Sequence, residues 1–197
     1  MKFESILKKI WFVIGVLITI YLALPGPKLP PPGLPESLKS TEPGDTVQIE
    51  NVSAYFTDEE REEVVSFYRD YFSRSSFLNL PLPTIKLNHP PEYAKQVIKD
   101  TMMTYYFEEL VHPFRGSLFI NGFDWQKDVF TPDRVKEKNR IKVGGRIWRA
   151  KVTLNWYPSS PLVRTGVFWL AWFLFLLISQ GFFKEFEMII NEVKRKK

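Results

Sequence analysis

Residues 140–156, with the sequence RIKVGGRIWRAKVTLNW, carry the strongest signal for the fold of this chain. Apolar and polar residues alternate along most of this stretch, which is typical of strands with one buried face. The pair Gly144-Gly145 permits the two-residue turn of a β-hairpin. That turn predicts a register in which Ile141 faces Trp148, so that the apolar side chains share one face of the hairpin.

The opposite face of this predicted hairpin is basic. It carries the five residues that we take as the candidate binding site: Lys138, Arg140, Lys142, Arg149 and Lys151. In this register Arg140 lies opposite Arg149 and Lys138 opposite Lys151, and such like-charged pairs repel. Residues 134–151 hold eight basic residues and one acid, whereas residues 36–63 hold nine acids and two basic residues. The basic face is therefore expected to stay solvated, to pair with the acidic segment, to lie on anionic lipid or to bind an acidic partner.

Two helices are expected on the N-terminal side of the hairpin. Thr57 and Glu60 have the spacing of a capping box, and apolar residues at helical spacing continue from there to Phe72. Pro91 is suited to the first turn of a second helix. Apolar residues then recur at helical spacing until Pro113 ends the pattern.

Short strands are expected beside these helices. Alternation at residues 46–50 and a short apolar pattern at residues 84–87 each predict a strand. An Asn-Gly pair within residues 118–125 is a strong turn signal and predicts a small hairpin there. Together the elements predict a small mixed α+β domain at residues 44–157, with two helices plus short antiparallel strands that include the C-terminal hairpin.

Two segments are expected to be transmembrane helices, one on each side of this domain. Residues 165–183, TGVFWLAWFLFLLISQGFF, are 19 residues without a charge, and a soluble helix this apolar on every side would need a far larger protein around it. Residues 10–25 include a shorter uncharged run that fits either a retained membrane helix or a cleaved signal peptide. We favour the retained helix because Tyr21 stands where a signal peptidase prefers a small side chain.

The segments that flank the spans set the expected topology. Residues 25–43 contain seven of the 15 prolines, which predicts an extended proline-rich linker at residues 26–43, whereas residues 158–164 form a short linker. Basic residues are more frequent at residues 1–9 and 184–197 than in the flanks on the domain side. The positive-inside rule then places both termini in the cytoplasm and the domain outside the cell (cytoplasmic) membrane.

The composition restricts the chemistry that the chain can perform. It has no cysteine and two histidines, which excludes disulfides, thiol catalysis and cysteine-based metal sites. No phosphate-binding glycine loop, nucleophile elbow or zinc-protease motif occurs in the sequence. Glu108, Glu109 and His112 form an E-E-x-x-H pattern, which on a helix brings a carboxylate and an imidazole to one face. A di-metal site needs a second copy of that pattern, so we expect no metal or other cofactor.

Three hypotheses of function remain open at this point. The favoured one is a non-enzymatic binding or assembly subunit that docks a protein partner or anionic membrane lipid through the basic residues. Nucleic acid is not expected, because an extracytoplasmic domain would rarely meet it. The second hypothesis is a membrane-bound enzyme acting on a lipid or cell-wall substrate, with Glu108, Glu109 and His112 at its centre. The third is a structural subunit that assembles through its transmembrane helices.

Overall fold

The computed structural model describes most of the chain. The described residues are 2–43, 45, 50–90, 104–124, 126–127, 132–138 and 140–195. The chain divides into two compact units, one containing Met1–Leu24 and Ser159–Lys197, the other Pro25–Pro158.

The unit Pro25–Pro158 is built on a six-stranded antiparallel sheet. In spatial order its strands are β1 (Leu38–Lys39), β2 (Val52–Thr57), β8 (Ala150–Tyr157), β5 (Gly116–Asp124), β4 (Tyr106–His112) and β3 (Ile85–Asn88). The other elements described in this unit are helices α2 (Arg61–Phe72) and α3 (Asp133–Lys138) and a separate two-stranded ribbon, β6 (Ile141–Val143) with β7 (Arg146–Trp148). The predicted mixed α+β class with antiparallel strands is confirmed.

One face of the sheet holds the hydrophobic core. Along β8 every second residue is buried, and Leu154 pairs directly with the fully buried Ile120 of β5. Helix α2 covers this face with an apolar stripe that includes Val64, Tyr68 and Phe72. The alternation predicted for residues 150–156 is therefore confirmed, because those side chains meet a helix on one side only.

Helix α2 begins three residues later than the capping pattern predicts. Thr57 belongs to β2, where it pairs with Ala150, and its Oγ1 accepts a hydrogen bond from the Glu59 N–H at 3.1 Å. Glu60 is the N-cap residue instead, and the Glu63 carboxylate accepts a hydrogen bond from its N–H at 2.8 Å. The capping box is therefore formed by Glu60 and Glu63 and not by Thr57 and Glu60, because the sheet holds Thr57 in an extended conformation.

The second predicted helix is wrong for the part that the structure describes. Residues 91–103 lie outside the described residues, and residues 106–112 form β4, paired with β3 on one side and β5 on the other. Tyr106 and Leu110 are both buried on the core face. A separation of four residues is one helical turn but also two strand periods, so their spacing fits both structures.

The hairpin predicted at residues 118–125 is also wrong. β5 passes through Gly122 without a break, and the turn between β4 and β5 lies at residues 113–115, where Phe114 has a φ of +60°. A Cβ on Gly122 would lie 2.0 Å from the ring of Tyr106. The glycine therefore serves the close approach of an aromatic ring and not a turn. Residue 125 and the residues 46–49 of another predicted strand lie outside the described residues, while the strand predicted at 84–87 is confirmed as β3.

The Gly-Gly turn of the C-terminal hairpin is confirmed. Gly144 and Gly145 have φ values of +62° and +76°, which suit the left-handed conformation that such a turn needs. Ile141 pairs with Trp148 in the predicted register. The chain bends at Arg149, however, and β8 leaves the ribbon to join the main sheet.

The proline-rich segment that we expected as a linker packs against the sheet unit. Leu34 is buried in the core, and the Tyr68 hydroxyl donates a hydrogen bond to the Pro32 carbonyl at 3.2 Å. The hydroxyl of Tyr71 donates to the Lys28 carbonyl in the same way. Proline has no N–H but keeps a carbonyl acceptor, so tyrosine hydroxyls can hold such a segment without a strand ladder.

The other unit is a pair of packed helices, α1 (Lys2–Ala23) and α4 (Pro161–Arg195). Trp11 stacks on Trp172 with ring centroids 4.0 Å apart. The Arg164 guanidinium donates hydrogen bonds to the carbonyls of Leu22, Leu24 and Ser159. The end of α1 is therefore held beside the start of α4.

Among the described residues, one helical segment is long and apolar enough to cross a membrane. It is Pro161–Phe186 in α4, with 26 residues and a mean hydropathy of 1.9. At 1.5 Å per residue it is about 39 Å long, more than the roughly 30 Å of a hydrocarbon core. The apolar part of α1, Lys9–Ala23, is shorter. The crossing of the membrane by two spans therefore stays a prediction.

Replacement of Gly122 by Ala tests the role of this glycine. The new methyl group would overlap the Tyr106 ring, so we expect a loss of about 1–3 kcal/mol in unfolding free energy, as for other overpacked cores. Denaturant unfolding of the detergent-solubilised chain, followed by tryptophan fluorescence, measures the loss. Gly26→Ala is the matched control, because no atom lies within 4 Å of a Cβ at that position. Equal stability of the two variants would contradict the assigned role.

Candidate functional site

The candidate basic residues lie on or beside the small ribbon, so its construction comes first. The Trp148 indole N–H donates a hydrogen bond to the Val143 carbonyl at 3.1 Å, which ties the two strands together. The Arg146 guanidinium lies over the Trp148 ring, 4.4 Å from its centroid, and forms an ion pair with Asp58 at 2.5 Å. Ribbon and acidic segment are thus joined at Asp58.

Arg149, at the bend between β7 and β8, is held inside a set of acidic side chains. Its backbone N–H donates to Asp58 Oδ1 at 2.9 Å, and its guanidinium pairs with Glu60 at 2.8 Å and with Asp124 at 3.2 Å. The Asp124 carboxylate is almost fully buried. Burial opposes the charged form of Arg149, but the hydrogen bonds that its guanidinium donates to Glu60 and Asp124 outweigh burial and raise the arginine pKa. Arg149 is consequently a structural cation.

Lys151 is engaged in the same manner at the start of β8. Its ammonium group lies 2.8 Å from Asp45 and 3.4 Å from Glu42. It also lies 5.7 Å from the centroid of the Phe56 ring. Two of the five candidate residues thus take their anionic partners from the acidic segment of the chain itself.

The repulsive pairs expected across the hairpin do not form. Lys138 is the last residue of α3, and so it lies outside the ribbon. Arg149 lies at the bend with its N–H bonded to Asp58, so the strand pairing that would place it opposite Arg140 has ended. The physical reason is charge: the acidic side chains draw Arg149 away from the ribbon into attractive contacts.

Arg140 and Lys142 are the candidate residues that face solvent. Both are exposed, and neither forms an ion pair within the described part of the chain. Lys142 pairs across the ribbon with Ile147, whose side chain is 49% exposed. An apolar residue next to two uncompensated cations is a surface that suits an anionic partner with some apolar area.

The E-E-x-x-H pattern lies on a strand and not on a helix, so its three side chains do not share one face. It lies on β4, so Glu108 and His112 are buried on one face while Glu109 points to the other. The Glu109 carboxylate contacts the His89 ring at 3.1 Å, and the His112 ring stacks on Phe72 at 4.0 Å. Within the described residues, no group of His, Asp and Glu side chains has the arrangement of a metal site.

One residue of this pattern, Glu108, belongs to a buried ion pair that was not predicted from the sequence. Glu108 is fully buried and forms an ion pair with Arg61 at the start of α2, and Asn88 of β3 donates a hydrogen bond to the same carboxylate at 2.8 Å. Burial opposes the charge of Arg61, but its hydrogen bond to Glu108 raises the pKa overall. Arg61 and Glu108 are 47 residues apart in the chain. The one feature of the sequence that points to this ion pair is the position of Arg61 within an acidic run.

The different roles of Arg149 and Lys142 predict different effects on stability. Arg149→Gln leaves the buried Asp124 without its ion pair, so we expect a loss of about 1–3 kcal/mol in unfolding free energy. Lys142→Gln changes an exposed side chain and is expected to alter stability by no more than about 0.5 kcal/mol. Denaturant unfolding of both variants measures the difference. A larger effect for Lys142→Gln would show that the assignment is reversed.

Comparison with known proteins adds no relative to this picture. No protein-family model matches the chain, and the searches of curated proteins and of solved structures return no match.

Proposed function

We propose that this chain is a membrane-anchored, non-enzymatic binding subunit that docks an acidic protein partner through the β6–β7 ribbon. The observation that carries the proposal is the contrast among the basic residues. Arg149 and Lys151 are paired within the fold, whereas Arg140 and Lys142 face solvent beside the exposed Ile147. Exposed cations attract an acidic partner electrostatically, and the neighbouring isoleucine adds apolar contact area.

Helix α4 supports the membrane anchor. Its apolar segment Pro161–Phe186 has no buried part, and so its Trp, Phe and Leu side chains require a non-aqueous environment. Helix α1 packs along it through Trp11, and α1 would therefore share that environment. We retain the orientation in which both termini are cytoplasmic and the residues between the helices are extracytoplasmic.

The course of β8 favours a protein over the host membrane as the ribbon's partner. β8 separates the ribbon from the residues that enter α4, and its eight residues span about 26 Å at 3.3 Å per residue. Electrostatic attraction between exposed charges fades over about 8 Å at physiological ionic strength. The length of β8 between the ribbon and the residues that lead into α4 is therefore about three such screening lengths, which favours a partner other than the lipid at that point of attachment.

Labelling of single cysteines tests the orientation, since the chain has no cysteine of its own. Arg134→Cys changes an exposed residue of α3, and a second variant carries a cysteine added after Lys197. We expect a membrane-impermeant maleimide to label residue 134 in intact cells and the C-terminal cysteine only after permeabilisation. The reverse pattern, or recovery of the chain in the soluble fraction, would contradict the proposal.

A photo-crosslinking residue at position 147 tests the ribbon as a docking site. We expect a discrete protein adduct in native membranes, with mass spectrometry identifying an acidic partner. The double variant Arg140→Gln/Lys142→Gln should weaken the interaction by about 5- to 30-fold, which corresponds to about 0.5–1 kcal/mol for each exposed charge pair.

The matched control for this experiment is the pair Lys39→Gln/Arg134→Gln. It removes the same charge from exposed positions in β1 and α3 and should leave the adduct unchanged. Equal loss with both pairs would reduce the effect to net charge. Crosslinks to lipid alone would show that the ribbon contacts a membrane, and would contradict the proposed protein partner.

A further inference from the structure

A basic cavity lies in the sheet unit at the end opposite the β6–β7 ribbon. It has a volume of about 380 Å³ and is lined by Pro27, Lys28, Tyr71, Arg74, Ser75, Ser76 and Asn79. The lining contains two cationic side chains together with hydroxyl and amide groups, and no acid. Within the described part of the chain, neither Lys28 nor Arg74 forms an ion pair. These are the groups that recognise a phosphate.

The loop that forms one wall of this cavity is held firmly at its base. The Ser75 N–H donates to the Leu80 carbonyl at 2.8 Å, and the Leu82 N–H donates to the Ser73 carbonyl at 2.8 Å. The Ser75 hydroxyl also donates to the Pro25 carbonyl at 2.8 Å, and the Ser76 N–H donates to Gly26 at 3.0 Å. The loop is therefore fixed to the residues that directly follow α1.

The tip of the same loop exposes large apolar side chains. Phe77 is 52% exposed and Leu78 is 76% exposed. Leu78 and Asn79 have φ values of +51° and +52°, a conformation that costs a side chain such as leucine about 1–2 kcal/mol. The fold thus holds Leu78 in a strained backbone conformation with its side chain exposed. Water provides no apolar contact that would offset the cost of this strain.

Chain connectivity places the base of this loop close to the point where the sheet unit is joined to α1. Pro25 is two residues beyond Ala23, the last residue of α1, and consecutive Cα atoms are about 3.8 Å apart, so its Cα lies within about 8 Å of that helix end. A second apolar tip lies at the same end: Phe114, in the turn between β4 and β5, is 88% exposed. Next to that turn, Ser117 pairs with Tyr157, which lies four residues before Pro161, the first residue of α4.

We propose that the cavity binds the phosphate of an anionic phospholipid, with Lys28 and Arg74 as its charged ligands and Phe77 and Leu78 inserted among the lipid headgroups. A cationic cavity rimmed by exposed apolar residues matches the boundary between the charged surface and the acyl chains. This inference rests on the proposed membrane attachment, and it concerns a different surface from the ribbon. It assigns the attached end of the unit to lipid and leaves the ribbon to a protein.

Calorimetric titration of the detergent-solubilised full chain tests the cavity directly. Short-chain phosphatidylglycerol, below its micelle concentration, should bind, and short-chain phosphatidylcholine should bind less tightly because its headgroup has no net charge. Lys28→Gln/Arg74→Gln should weaken phosphatidylglycerol binding by about 30-fold, which corresponds to about 1 kcal/mol for each basic residue. Lys39→Gln/Arg134→Gln is the matched control and should leave binding unchanged, because both residues are exposed and lie outside the cavity.

Glycerol phosphate and inorganic phosphate form the arm that separates lipid from free phosphate. If either binds as tightly as the short-chain lipid, the ligand is a soluble phosphate and the lipid assignment is wrong. Equal weakening by the cavity variant and the control, or no binding of phosphatidylglycerol, would also overturn the proposal.

A fluorescent probe at the loop tip tests insertion independently of membrane attachment. Leu78→Cys, labelled with a polarity-sensitive dye, should show a blue shift when the chain is reconstituted in vesicles that contain phosphatidylglycerol, and Lys28→Gln/Arg74→Gln should reduce that shift. Vesicle flotation after an alkaline wash reports the anchor separately. A chain that floats with a fully water-exposed dye would contradict the inference while the proposed anchor stands, and a chain that does not float would contradict the anchor itself.

Discussion

The guanidinium group of Arg164 is the contact on which one end of the helical unit depends. The last carbonyls of a helix have no partners within the helix, and Arg164 donates hydrogen bonds to the carbonyl of Leu22 in the last turn of α1 and to that of Leu24 just beyond it. The same side chain donates to the Ser159 carbonyl at 2.9 Å. One planar group therefore binds both points at which the chain leaves the helical unit for the sheet unit. Lysine could not make these contacts together, because a single ammonium lacks the fork of five donors.

The second constraint is the mutual neutralisation of acidic and basic segments. Asp58, Glu60 and Asp124 surround Arg149, while Asp45 and Glu42 hold Lys151. These contacts join the segment before α2 to the start of β8, and so they fix the direction in which the central strand begins. A basic face that appears as one surface in the sequence is thus divided: Arg149 and Lys151 are paired within the fold, whereas Arg140 and Lys142 are exposed.

The sequence predicted those elements whose pattern is local. The alternation of β8 and the turn at Gly144-Gly145 depend on neighbouring residues, and both agree with the structure. β4 was misassigned because Glu108 occupies the position where a core strand should carry an apolar residue. That position becomes tolerable through Arg61, which is 47 residues away in the chain. The role of Gly122 likewise depends on Tyr106 across the sheet. Non-local compensation of this kind leaves no periodic signal.

For the candidate site, the sequence predicts that the surface is basic but not which of the five basic residues are exposed, because their partners are distant in the chain. Arg140 and Lys142 are distinguished from Arg149 and Lys151 by which acids lie nearby in space, and the spacing of residues along one strand contains no such information. The sequence does not reveal the cavity at Lys28 and Arg74, because a proline-rich segment such as residues 26–43 predicts an extended linker. Tyrosine hydroxyls from β2 and α2 bind its carbonyls, so a segment without strand-forming donors becomes a wall of the folded unit.

The two ends of the sheet unit consequently meet opposite physical demands. At the end attached to the helices, exposed Phe77 and Leu78 are costly in water, and the strained φ of Leu78 adds to that cost. At the other end, the exposed cations Arg140 and Lys142 are readily solvated by water, and Ile147 is the exposed apolar side chain beside them. Because an exposed apolar loop is stabilised by an environment that removes it from water, the proposed contact with lipid would offset the cost of this loop. The ribbon needs no such environment, and its exposed charges are available to a partner that approaches through solvent.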